Sequence, residues 1–147
     1  MKVILQRVQH ASVTVDGRIV GKIGRGIMLL IGVAETDTIS DVDFVADKCV
    51  NLRIFEDEDG KMNRSVLDEG GDILAISQFT LLGNTRKGRR PSFIEAANPE
   101  KGRALYERFI EQLKNSGLNV ECGIFGAMMD VDLLNYGPVT IILESRE

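Results

Sequence analysis

The stretch Val131-Asp132-Leu133-Leu134-Asn135-Tyr136-Gly137-Pro138-Val139-Thr140-Ile141-Ile142-Leu143 decides how the chain is read. Two apolar segments that should run on into each other are interrupted by Gly137-Pro138. Proline cannot donate to a β ladder, so it belongs on an edge, at a bulge or in a turn. Glycine before proline escapes most of the clash that restricts other residues there. X-Pro bonds are also where a cis peptide is tolerated, in roughly 5–6% of folded cases. The pair reads either as a kink between two strands or as a backbone feature with a purpose of its own.

A second stretch lies upstream. Ile73-Leu74-Ala75-Ile76 has the continuous apolar character of a buried strand, and the same strand is expected to carry Ser77-Gln78-Phe79-Thr80-Leu81 and to end at Leu82. Outward from these, residues 2–8 suit a first strand. Ser12-Val13-Thr14-Val15 alternates into Asp16-Gly17, a tight hairpin turn, with residues 18–23 returning. Residues 27–33 form an unbroken apolar run, the pattern of a strand covered on both faces. Leu52-Arg53-Ile54-Phe55 reads as a further strand, and residues 120–147 as two or three more.

Two helices stand out among the strands. Thr38 and Asp41 have capping-box spacing, and Ile39, Val42, Val45, Ala46 and Cys49 follow at helical period. Asn98 and Pro99 suit the cap and first position of the second helix. Leu105, Phe109 and Leu113 form its stripe with Tyr106 and Ile110 beside it, and Gly117 is placed to end it. About eight strands with two main helices predict an α+β fold: a barrel-like, mostly antiparallel sheet wrapped by helices, in one domain over residues 1–147.

Composition limits the function. The 147 residues are 44% apolar and 27% charged, ordinary for a soluble globular protein with a real core. No run reaches the ~18 apolar residues of a membrane helix. The start reads as a strand rather than a signal peptide, so a cytoplasmic location is expected. Cys49 and Cys122, far apart among apolar residues, are expected as buried free thiols. A net charge of −4 excludes a whole-surface grip on nucleic acid. Any such contact must be local, and Arg86-Lys87-Gly88-Arg89-Arg90 is either that contact or a solvated loop.

Familiar catalytic side chains are missing. His10 is the single histidine, and nothing in the sequence places it beside Ser77 or a cysteine to build a nucleophilic triad. One histidine and two scattered cysteines do not supply a zinc site. Glu56-Asp57-Glu58-Asp59-Gly60 lacks the full start and the closing glutamate of a calcium loop, and reads as an acidic turn. No phosphate-binding or dinucleotide fingerprint is present. An enzyme of this composition needs an activated substrate, or one that helps in its own reaction.

Ser77-Gln78-Phe79-Thr80-Leu81 together with Asn135-Tyr136-Gly137-Pro138-Val139-Thr140 resembles the motif pair of the D-aminoacyl-tRNA deacylases, the chiral-proofreading enzymes. The resemblance extends in register through Gln6-Arg7-Val8, Ala11-Ser12-Val13-Thr14-Val15, Arg53-Ile54-Phe55, Gly60-Lys61-Met62-Asn63, Arg90-Pro91-Ser92-Phe93 and Phe125-Gly126-Ala127. It implies hydrolysis of the ester between a D-amino acid, or glycine, and the 3′-terminal adenosine of tRNA. An aminoacyl ester is activated already, and the neighbouring 2′-hydroxyl can position or activate water.

The resemblance further implies a homodimer with no metal, cofactor or membrane partner. In it Gly137-Pro138 is cis and enters the partner subunit's site, where fixed carbonyls reject L-side chains by clash. Ser77, Gln78, Phe79 and Thr80 then line the catalytic site, with main-chain N–H groups near Phe79-Thr80 holding the oxyanion. A hydroxyl nucleophile at Ser77 or Thr80 is the rival chemistry, and a non-catalytic RNA-end binder the rival function. Arg7 supports the Gly-Pro loop, or is a paired arginine at a strand end. Phe125 and Met129 hold the terminal adenosine, or pack the core. Gly102 stands where many relatives are expected to carry alanine.

Overall fold

The computed structural model describes residues 1–145; the last two, which the expected domain and strand ranges include, lie outside the described residues. The chain folds as β1 (Lys2–Val15), β2 (Arg18–Ile23), β3 (Gly26–Gly32), α1 (Ile39–Asn51), β4 (Phe55–Glu56), β5 (Met62–Arg64), α2 (Val66–Glu69), β6 (Asp72–Ser77), α3 (Pro99–Lys114), β7 (Val120–Cys122) and β8 (Asp130–Glu144).

Strand β1 is the spine. Its first half pairs with β3 and its second half with β2, while β8 runs antiparallel along its other edge. The two segments read at 2–8 and 12–15 are therefore one strand of 14 residues. Beyond β3, β6 and β7 join in parallel, so the sheet is mixed, with antiparallel ladders in the majority. The sheet curls, and Gly21 shows why it can. A Cβ there would meet the Cys122 carbonyl oxygen at 3.1 Å and Leu74 at 3.2 Å, so glycine lets β2 lie across β6 and β7 without crowding its neighbours. The fold is α+β with a nearly closed, barrel-like sheet.

Helices α1 and α3 cover one face. The Thr38 N–H and hydroxyl donate to the Asp41 carboxylate at 2.8 and 3.0 Å, capping α1. Val42, Val45, Ala46 and Cys49 are buried, whereas Ile39, in the first turn, is exposed. In α3, Asn98 Oδ1 accepts from Lys101 N–H at 2.9 Å, and the whole stripe Leu105, Tyr106, Phe109, Ile110 and Leu113 is buried. Each such Leu or Phe contributes about 1.5–3 kcal/mol by leaving water. The helix stops at Lys114, and Gly117, at φ +85°, turns the chain toward β7. A second apolar cluster, with Val8, Val13, Met28, Leu74 and Ile76, fills the inside of the curl.

Three expectations need correction. Residues 52–54 form no strand, because only Phe55 and Glu56 find partners, in β5. The strand predicted to end at Leu82 ends at Ser77. Cys49 is buried, and burial pushes its thiol pKa up, but Cys122 is only half-buried; both thiols are free. His10 is exposed on β1, and residues 56–60 form an acidic turn in which Asp57 accepts from the Asp59 and Lys61 N–H groups. No described helix is long and apolar enough to cross a membrane.

Candidate active site

Strand β6 pairs with β3 as far as Ile31↔Ser77. Beyond that the chain turns into a 3-10 turn, Phe79–Leu82. The Gln78 N–H donates to the Ile31 carbonyl at 2.8 Å and fixes where the turn starts. Gly32 makes room for it: a Cβ there would meet Leu82 at 2.6 Å and the Gln78 carbonyl at 3.1 Å. The first N–H groups of a helical turn have no acceptor within it. Here these are Phe79 and Thr80, and neither donates to another backbone carbonyl among the described residues. The Gln78 amide donates to the Thr80 hydroxyl at 3.1 Å.

These residues form one wall of a cavity of about 940 Å³. Ser77, Gln78, Phe79 and Thr80 line that wall, Phe125, Gly126, Met128 and Met129 line another, and Pro99 and Gly102 of α3 close a third side. Its base is the inner cluster, with Met28, Leu30, Ile76, Val131 and Leu133. Among the described residues, no lining side chain is an acid, a base, a thiol or a phenol. The chemistry available here is that of amide dipoles, hydroxyls and apolar contact.

Phe125 is well braced. The Arg103 guanidinium lies 4.8 Å from its ring centre and Tyr106 packs at 5.7 Å. Tyr106 donates to the Ala75 carbonyl at 3.1 Å, and burial, then Cys122, raise its pKa, so it stays a neutral phenol. Phe79 meets Phe93 edge-to-face at 5.2 Å. Met129 is half-buried in the same wall.

Arg7, Gly137 and Pro138 lie elsewhere. Along β8, Thr140 pairs with Gln6 and Asn135 with Val8, so residues 136–139 bulge opposite Arg7 alone. The bulge carries a cis peptide between Gly137 and Pro138, and both residues are exposed. Arg7 is 3% exposed, and no carboxylate pairs with it among the described residues. Its Nε donates to the Tyr136 carbonyl at 2.8 Å and its Nη1 to the Ile54 carbonyl at 2.7 Å, while Tyr136 stacks at 4.5 Å. Neither Gly137 nor Pro138 lines this chain's own cavity.

Comparison with known proteins then decides the family. The D-Tyr-tRNA(Tyr) deacylase profile matches residues 4–144. The chain belongs to the D-Tyr-tRNA(Tyr) deacylase family. It is 62% identical over 145 residues to a D-aminoacyl-tRNA deacylase of Brevibacillus brevis, covering 99% of this chain and 100% of that one. It is 58% identical over 147 residues to a D-aminoacyl-tRNA deacylase of Geobacillus sp. (strain WCH70), covering 100% and 97%. A solved structure of a c-Myc DNA unwinding element binding protein superposes over 100% of both chains with TM-score 0.94 at 44% identity. A probable eukaryotic D-amino acid tRNA deacylase shares the fold at TM-score 0.86 and 21% identity, over 97% and 98% of the two chains.

For a chain of the D-Tyr-tRNA(Tyr) deacylase family, some cavity residues had no site role in the sequence reading, although Gln6 and Phe93 lie in stretches that carry the resemblance. Gln6 reaches the cavity from β1, and its amide donates to the Thr140 hydroxyl at 3.4 Å. Phe93 and Met128 also line it. Alternation along β1 was the available signal for Gln6, but which face meets a cavity follows only from the closure of the sheet.

Proposed function

We propose that this chain is a D-aminoacyl-tRNA deacylase that hydrolyses the ester between a D-amino acid and the 3′-terminal adenosine of tRNA. Family membership and the full-length relatives named for that activity support the reaction. The observation that carries the mechanism is the cavity wall. Among the described residues, the Phe79 and Thr80 N–H groups donate to no backbone carbonyl, and they edge a pocket lined by no ionisable side chain. An ester carbonyl directed at those donors gains stabilisation as its oxygen becomes negative, without any side-chain base. Water attacks the carbonyl carbon, and the ester C–O bond breaks. The 2′-hydroxyl of the terminal ribose orients that water, and the proton leaves with the 3′-oxygen. Ser77 and Gln78 shape the wall, and the Thr80 hydroxyl is held by Gln78 rather than freed as a nucleophile. Phe125 and Met129 receive the adenine. No metal or organic cofactor enters this scheme.

Chirality is set by a second copy of the chain. In this homodimer Gly137 and Pro138 of one subunit border the other's cavity, and their carbonyls fill the space an L-side chain needs. Exposure of the loop, its absence from the chain's own cavity, and exposed Leu134, Tyr136 and Ile142 along β8 support the arrangement. Arg7 holds the loop. Selection by exclusion leaves glycine accepted, since glycine has nothing to exclude. The working unit is one domain over residues 1–147, acting in the cytoplasm.

A non-catalytic nucleic-acid binder is the second reading, favoured by the printed name of the 44%-identical solved relative. One assay separates them: release of D-tyrosine and of L-tyrosine from the same tRNA at catalytic enzyme concentration. Fast release of D with L untouched supports deacylation with exclusion. Equal release removes the role given to Gly137 and Pro138. Release of neither, with tight binding of the charged tRNA, selects the binder.

A further inference from the structure

Residues 84–92 form a hairpin that the scheme above does not use. Reciprocal backbone bonds close it: Asn84 N–H to the Ser92 carbonyl at 2.8 Å, and Ser92 N–H to the Asn84 carbonyl at 2.9 Å. The Asn84 side chain accepts from the Arg86 N–H at 3.0 Å, and Gly88 turns the tip at φ +66°. Four of the five residues 86–90 are cationic in a chain of net charge −4, and all five are exposed. Ion pairs elsewhere use Lys2, Arg25, Arg64 and Arg108; among the described residues none involves the hairpin. Mutually repelling cations with no ion-pair partner among the described residues are a surface arranged for a polyanion.

The hairpin's root fixes its position relative to the cavity. It leaves the turn Phe79–Leu82 through Gly83, whose N–H donates to the Thr80 carbonyl at 3.0 Å. It returns through Phe93, which packs on Phe79. The cations are thereby tied to the same turn that carries the Phe79 and Thr80 N–H groups. A hollow of about 310 Å³ at its base is lined by Asn84, Arg86, Lys87 and Ser92.

We infer that this hairpin is a second, sequence-independent binding site for RNA phosphodiesters, gripping the backbone of the RNA whose 3′ end occupies the cavity. The inference rests on the reading of a tRNA end in that cavity and adds the part of the substrate that supplies affinity. Phosphate contacts position a nucleic acid without reading its bases, and each one steepens the salt dependence of binding by roughly 0.7–0.9 in log–log slope.

The test is a protein carrying Arg86→Gln, Lys87→Gln, Arg89→Gln and Arg90→Gln together, all at exposed positions. Binding of uncharged tRNA is followed by anisotropy across a salt series. Turnover is measured on D-tyrosyl-tRNA and on the D-tyrosyl ester of adenosine, which has no phosphodiester. The expected result is a salt slope smaller by about 3, with KM for the tRNA substrate raised at least about tenfold, kcat unchanged, and the adenosine ester cleaved as by the parent protein. An unchanged slope and KM overturn the inference. So does equal loss on both substrates, which marks a structural role, and so does a variant that loses only binding to anionic lipid vesicles. If the parent releases no D-tyrosine at all, the proposed reaction fails, and the salt titration still decides the hairpin's role by itself.

Discussion

Asn135 and Val139 clasp each other across the Gly137-Pro138 bulge: the Asn135 side chain accepts from the Val139 N–H at 2.7 Å and donates to the Val139 carbonyl at 3.1 Å. The side-chain amide thus supplies the pairing that the bulge takes away from the β1–β8 ladder. Its nitrogen also reaches the Thr140 hydroxyl at 3.1 Å, which accepts from cavity-lining Gln6. A chain of polar contacts therefore runs from the loop to the cavity wall. Asn135→Ala leaves the buried Val139 amide without these partners. A loss of about 1–2 kcal/mol in stability is expected. The more telling readout is selectivity. With the loop loosened, the ratio of D- to L-tyrosine release should fall about tenfold, the equivalent of 1.4 kcal/mol, with D release largely kept. Parallel deacylation assays on the two charged tRNAs check it.

Arg7 acts on the same loop from the other side. Its guanidinium bonds two carbonyls in different segments, Tyr136 and Ile54, with its carbon 4.5 Å from the centre of the Tyr136 ring. A lysine is a point donor on a flexible stem and cannot reproduce that fork. Arg7→Lys should therefore not behave as a conservative change. It leaves one carbonyl unpaired beside a buried ammonium, and a loss of roughly 1–3 kcal/mol is expected. Chemical denaturation measures the loss. L-tyrosine release should rise in Arg7→Lys as it does in Asn135→Ala, since both free the same loop.

The two helices were legible because period and capping are local, whereas the spine was read as two strands because nothing local shows that residues 9–11 continue the ladder. Val42, Val45, Ala46 and Cys49, and Leu105, Phe109 and Leu113, are buried as their spacing requires. Residues 78–82 were misread because Phe79-Thr80-Leu81-Leu82 keeps an apolar, strand-like character. What ends β6 at Ser77 is non-local: its neighbour β3 stops at Gly32, so the ladder has no further partner. Leu52, Arg53 and Ile54 failed for the same reason, since β5 is too short to pair them. The cavity is lined from five separated segments, and of these the motifs at 77–80 and 125–129 were the ones given a role in the site from sequence. The clasp at Asn135 is a side chain bonded to its own loop, which leaves no periodic trace.

A cavity with no ionisable lining makes a definite statement about pH. General acid–base catalysis by a side chain gives a bell whose limbs are that group's pKa values. Here the lining offers none among the described residues. The expected profile of kcat for D-tyrosyl-tRNA rises smoothly with pH, with no enzyme inflection between about pH 5.5 and 8. Thr80→Ala removes only the hydroxyl that Gln78 holds and leaves the main-chain N–H in place. It should keep kcat within about tenfold, whereas removal of an oxyanion donor typically reduces kcat by about 10²–10³. A sharp inflection, or complete loss in folded Thr80→Ala, would restore the hydroxyl-nucleophile mechanism.

Gly102 gives the last prediction, because stability and pocket space can be read separately there. It lies in the second turn of α3, buried, at the cavity edge. A Cβ at this position would meet Phe125 Cζ at 3.5 Å and the Ala97 Cβ at 4.0 Å, both ordinary contacts. Glycine inside a helix is less favourable than alanine by about 0.8–1 kcal/mol. Gly102→Ala should therefore stabilise the protein by roughly that amount and raise the melting temperature by about 2–4 °C for a chain of this size. D-tyrosine release should be unchanged, since the added methyl rests on Phe125 without displacing it. A bulky side chain at the same position has no such room. Gly102→Phe should keep the helix but raise KM sharply, by pushing into the space between α3 and Phe125. Thermal melts of both variants, set beside their KM values, separate the helix effect from the occupied pocket. If Gly102→Phe left KM untouched, the terminal adenosine would have to bind somewhere other than against Phe125.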